Sequence, residues 1–145
     1  MIIIDAKNLI VGRFATIAAK QALLGQEIAI VNCEHAYLTG TKKRIIDEYF
    51  RKRRMGTWAT GPFYHRQPDR LVRRIIRGML PHKQEKGKSA YQRIMCYLGV
   101  PEEFKSQKLE TIENANINRI PNLKYIRVEE LSKLLGAKRT NGEYT

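Results

Sequence analysis

Three histidines, two cysteines, a few acidic pairs and one Gly-Lys-Ser tripeptide are the groups with which this chain could perform metal, covalent or phosphate chemistry. A metal site needs ligands spaced to converge on one ion. His35, His65 and His82 lie far apart, no HExxH motif occurs, and Cys33 and Cys96, 63 positions apart, form no CxxC. Cys33 sits on an apolar segment and reads as a small core residue rather than a nucleophile. Gly87, Lys88 and Ser89 have the composition that ends a phosphate-binding loop, but the Gly required five positions before Gly87 is His82, and no apolar strand precedes it. A dinucleotide fingerprint also fails, because the turn after the first apolar run has only Gly12, which reads as a tight backbone turn. The pairs Glu102 with Glu103 and Glu129 with Glu130 stand where helices begin, and there a carboxylate faces the helix dipole favourably. A nuclease would need carboxylates converging on a divalent ion. The centre of the chain has only Asp47, Glu48, Asp69 and Glu85, and the first two stand one helical turn from Lys43, Arg44, Arg51 or Lys52. No catalytic set, metal, cofactor or small-molecule substrate is expected.

The chemistry that survives is that of cations among flat side chains. A first group is Lys42, Lys43 and Arg44 with Arg51, Lys52, Arg53 and Arg54. A second is Arg66, Arg70, Arg73, Arg74 and Arg77, extended by Lys83, Lys86 and Lys88. The planar guanidinium fork grips phosphate oxygens in pairs. Between the groups lie Trp58, Phe63, Tyr64 and His65. Their rings suit stacking on unpaired bases, and Trp58 and His65 join the candidate contact residues. For Trp58 a second reading stays open, in which it anchors its loop to the body of the protein.

Elements must hold these groups in place. Ile2 to Ile4 and Ile28 to Val31 are continuous apolar runs that predict interior strands, with a helix between them carrying Phe14, Ile17, Ala18 and Ala22 on one side and stopping at Gly25. Strand, helix, strand with short links predicts a parallel sheet. After Thr39, Gly40 and Thr41 a second helix carries Ile45, Ile46, Tyr49 and Phe50. Residues 55–67 read as an exposed loop. Pro68 opens a third helix with the stripe Leu71, Val72, Ile75, Ile76 and Met79, ended by Pro81. Residues 82–88 read as a polar loop, followed by a short helix through Tyr91, Ile94, Met95 and Leu98 to Gly99. Leu109 to Ile112 and Tyr125 to Val128 are strand candidates, and Glu129 to Leu135 is a small helix.

Length and charge bound the class. The 145 residues carry 27 Lys or Arg against 14 Asp or Glu, a formal charge of +13. Residues 41–93 hold 16 of the bases and 4 of the acids, so nearly all the excess is in one block. Such a field attracts a polyanion, most commonly a phosphate backbone. An anionic membrane surface would instead require the stripe from Leu71 to Met79 to face solvent. No zinc finger, heptad-flanked basic region or helix-turn-helix supports a DNA regulator. The apolar fraction of 43% supports a core, no apolar run reaches 18 residues, and Met1 to Asp5 lack the features of a secretory signal. Two cysteines suit a reducing compartment. The expectation is one domain spanning 1–145, with the basic block 41–93, a strand and helix segment 101–136 and a polar tail 137–145.

Three segments of the chain resemble, in order, a large-subunit ribosomal protein family, the universal family thirteen. DAKNLIVGRFATIAAKQALLG resembles its opening, with Asp5, Gly12, Arg13, Ala15 and Ala19 in matching places. IAIVNCEHAYLTGTKK resembles its second strand and Leu-Thr-Gly turn. IRGMLPHKQEKGKSAYQRIMCYLG holds Gly-Met-Leu-Pro at 78–81, then Gly87 with Lys88, then Tyr97 and Gly99. The ending Gly99-Val100-Pro101 and the short length are similar to the archaeal branch. Cys96 departs from the family pattern, as does the segment 51–67 from the bacterial one. The resemblance implies a three-layer α/β/α fold around a mainly parallel four-stranded sheet, with basic loop and helix extensions. It also implies a cytoplasmic protein of the large ribosomal subunit, binding large-subunit ribosomal RNA beside neighbouring ribosomal proteins, early in assembly, with no membrane partner. An RNA-processing enzyme of the α/β class is the alternative.

Overall fold

The computed structural model describes residues 1–121, 123–140 and 143–144. The two apolar runs form the centre of the molecule, as expected of β-branched segments with no polar face. β1 (Ile2–Asp5) pairs in parallel with β2 (Ile28–Val31), Ile4 opposite Ile30, and α1 (Val11–Leu23) connects them. All four β2 residues are buried. Gly25, at φ +95°, provides the left-handed turn that ends α1. Gly12 is not in a turn. It lies in the first turn of α1 with no atom within 4 Å of where a Cβ would stand, and the left-handed position is Asn8, at φ 60°. Phe14, Ala15, Ala18, Ala19 and Ala22 are buried, whereas Ile17 lies at the rim.

A turn at 33–35 leads to β3 (Tyr37–Thr39), which pairs antiparallel with β5 (Tyr125–Arg127). Between them come α2 (Lys42–Arg54), α3 (Pro68–Gly78), α4 (Glu85–Gln92) and β4 (Ile94–Cys96), and after β5 comes α5 (Val128–Leu134). The stretch 82–99 differs from its expected loop and helix. Glu85 to Lys88 already belong to α4, and Ile94 to Cys96 pair in parallel with β2 to complete the order β1-β2-β4. The sheet is mainly parallel within an α/β fold, as expected. Its fourth position is a single parallel bridge from Ile4 to Glu110, where Leu109 to Ile112 was expected to run as a strand. In the tail, β6 (Arg139–Thr140) and β7 (Glu143–Tyr144) pair antiparallel; residues 141, 142 and 145 lie outside the described ones.

The main core fills the face of the sheet under α1, α3 and α4, with Phe14, Ile28, Ile30, Val72, Ile76 and Ile94. Ile3, Ala29, Val31 and Phe104 form a thinner cluster on the other face. A third cluster, Leu71, Ile126, Leu131 and Leu135, joins α3 to α5 and receives Ile45, Ile46 and Tyr49 of α2. Leu71, Val72 and Ile76 are therefore core, and α3 offers no apolar stripe to a membrane, although Met79 is exposed. Among the described residues no helix is long and apolar enough to cross a bilayer.

Candidate nucleic-acid interface

α3 positions the densest charge. Its apolar residues face the core, so the helical period leaves Arg70, Arg73, Arg74 and Arg77 on the opposite arc. These four, with His65 and Tyr91, line a cleft of about 300 Å³. Arg73 lies over the Tyr91 ring at 4.5 Å and Arg74 over the Tyr64 ring at 4.3 Å. Such stacking fixes each guanidinium plane while leaving donors on its edge. A second cleft of about 290 Å³ shares His65, Arg70, Arg74 and Arg77 and adds Tyr49, Tyr64, Lys52 and His82. Burial, with Glu48 and Tyr64 nearby, pushes the Tyr49 phenol up to about 12, so the ring is neutral at ordinary pH.

The other expected cations divide into two sets. Lys43, Arg44, Arg51 and Arg54 are exposed along α2, with Arg54 6.0 Å from the Phe50 ring. Lys83 and Lys86 are exposed beyond α3, and Lys88 stands 3.9 Å from Glu85. The remaining four turn toward the protein itself. Lys42 pairs with Glu130. Lys52 pairs with Glu48 at 2.5 Å, and that hydrogen bond holds the Glu48 carboxyl below its ordinary range. Arg53 donates to the Leu135 carbonyl at 2.5 Å, and Arg66 to that of Gly136 at 3.4 Å, while the Ser132 hydroxyl donates to the Arg66 carbonyl at 2.5 Å. Arg53 and Arg66 thus clasp the C-terminal end of α5 to the basic block.

Trp58 does not anchor its loop. It is 92% exposed, at the tip of a turn closed by the Gly61 N–H donating to the Thr57 carbonyl at 3.0 Å. Gly56, at φ +79°, lies so close to the Gly61 carbonyl that no side chain fits there. The loop 55–67 is therefore exposed but internally braced, and it carries Trp58 away from the body.

Tyr91, the plane behind Arg73, is absent from the residues expected to make contacts, and Tyr64, expected to stack on a base, instead lies behind Arg74. Tyr91 is 18 positions from Arg73, and the packing of both α3 and α4 against α1 brings them together. The acids show no catalytic arrangement: Glu48 and Glu85 face lysines of their own helices, and among the described residues no three His, Cys, Asp or Glu stand together as a metal site.

A family model described as ribosomal protein L13 matches residues 1–103, which include the whole basic block. The protein named large ribosomal subunit protein uL13 from Methanococcoides burtonii is 41% identical over 138 residues, covering 95% of this chain and 99% of that protein. The protein of the same name from Methanosarcina barkeri is 42% identical over 139 residues, with 95% and 99% coverage. That from Haloarcula marismortui is 37% identical over 139 residues, with 96% and 93% coverage.

Proposed function

The chain belongs to the ribosomal protein L13 family, in its archaeal form, and from that premise we propose that it binds and compacts large-subunit ribosomal RNA through the face built by α2, α3 and α4. Its family makes it a structural protein of the large ribosomal subunit rather than an enzyme. One observation carries the RNA reading: four arginines of a single helix line one cleft, two of them backed by tyrosine rings, with Asp69 the only acid on that helix. Pre-oriented guanidiniums lose little freedom when they meet a phosphate, and each neutralised phosphate releases condensed counterions. Where RNA helices converge, such neutralisation lowers the repulsion that opposes compaction, which suits a protein that joins the subunit early. Trp58, held out on its braced loop, adds a stacking surface for an unpaired base.

The test is sedimentation of the tagged protein from a cell extract through a sucrose gradient, before and after a high-salt wash. Co-migration with the large subunit that survives moderate salt supports the reading. A peak at the top of the gradient, free of RNA, overturns it.

A further inference from the structure

We propose that Cys33 and Cys96 are a peroxide-responsive thiol pair that closes reversibly into a disulfide at the base of the basic block. Cys33 opens the turn after β2 and is fully buried. Its Sγ donates to the Ile30 carbonyl at 3.5 Å, and its backbone N–H donates to the Tyr97 carbonyl at 3.2 Å. Ile30 is the residue paired with Cys96 across the β2–β4 register. Both bonds of Cys33 thus end on the immediate neighbours of Cys96, one across the ladder and one along the chain. Both thiols belong to the same face of the sheet, with Cys33 in the core that holds Ile28, Ile30 and Ile94 and Cys96 packed against that core. Both are free.

Their environments assign them different parts. Burial, reinforced by the neighbouring Cys96, holds the Cys33 thiol well above its ordinary range, so it stays protonated. Cys96 is only half-buried, on the edge strand of the sheet, where an oxidant reaches it first. Hydrogen peroxide transfers one oxygen to the Cys96 sulfur, giving a sulfenic acid and water. The Cys33 sulfur then attacks the Cys96 sulfur; the hydroxyl leaves, taking up the Cys33 proton as a second water. In sum two thiols and one peroxide yield one disulfide and two waters, the protein losing two electrons and two protons. The bond brackets residues 41–93 completely, so it ties both ends of the basic excursion to the parallel sheet without altering a single cation. Closing so long a loop restrains the unfolded chain.

The folded protein is treated with hydrogen peroxide, quenched with catalase, unfolded, and its thiols are counted with dithionitrobenzoate alongside its intact mass. Both thiols are expected to vanish together, the mass to fall by two hydrogens, dithiothreitol to restore both, and the oxidised form to melt higher. In Cys96→Ser, Cys33 is expected to survive as a thiol under the same treatment. Oxygen added to Cys96 while Cys33 still titrates, a disulfide joining two chains, or no reaction at either thiol would each overturn the proposal.

Discussion

Gly87 lies against the carbonyl of Pro81 so closely that a Cβ on Gly87 would stand 2.1 Å from that oxygen. The two residues belong to one sequence motif, and the contact explains its two halves. Pro81 ends the segment after α3, Gly87 sits in the first half of α4, and the missing side chain lets that turn of helix rest on the preceding backbone. Gly87 of the Gly-Lys-Ser tripeptide is thus explained by packing against Pro81. Gly87→Ala is expected to lower stability by roughly 1–3 kcal/mol through overpacking. Gly78→Ala, where the added Cβ meets no atom within 4 Å, is the control and should change little. Equal urea midpoints for the two variants would contradict this.

Gly12 calls for the opposite outcome. Its place in the opening turn of α1, with open space around it, means that a side chain strains nothing. Gly12→Ala should raise stability by up to about 1 kcal/mol, since glycine is the poorer helix former. A fall in melting temperature would show a constraint on Gly12 other than backbone geometry.

The interior strands and the first three helices were legible because a single local signal sufficed: continuous apolar runs for β1 and β2, and 3.6-residue periodicity for α1, α2 and α3. β4 was not. Tyr91, Ile94, Met95 and Leu98 repeat at helical spacing, yet Ile94 to Cys96 are drawn into the sheet because β2 is buried and needs a partner for its second edge. At the interface, the concentration of charge was legible while its division was not. Arg53 and Arg66 bond carbonyls 82 and 70 positions away, and Lys42 pairs with a glutamate 88 positions away, so nothing local marks them as internal clasps.

Tyr49 makes the fold sensitive to alkali. Its phenol is raised from the ordinary 10 to about 12 in the folded protein, chiefly by burial. A raised value means that the fold favours the protonated form, so this contribution is complete below about pH 10 and is lost as pH climbs toward 12. Urea midpoints should therefore decline across that window, and less steeply in Tyr49→Phe, which cannot ionise. Parallel declines in the two proteins would assign the alkaline loss elsewhere.

Trp58 separates stacking from folding. At 92% exposure it contributes almost nothing to the core, so Trp58→Ala should unfold at the same denaturant concentration as the parent. If its ring stacks on a base, the same change should weaken RNA binding by about 1–3 kcal/mol. Unchanged affinity for large-subunit ribosomal RNA would remove Trp58 from the interface.

The arginines of α3 can be tested through salt. Arg73, Arg74 and Arg77 line the first cleft, and Arg74 and Arg77 reach the second as well. Counterion release makes the logarithm of affinity fall linearly with the logarithm of salt concentration, by about 0.7–0.9 for each phosphate neutralised. Replacing all three with Gln should flatten that line by the corresponding amount and weaken binding most at low salt. Val72 and Ile76 keep α3 seated in the core, so circular dichroism and the melting transition should persist. Arg53→Gln should behave in reverse, losing stability through its broken bond to Leu135 while leaving the salt slope nearly intact. A triple variant with an unchanged slope would mean that α3 does not meet the phosphate backbone, whatever its charge.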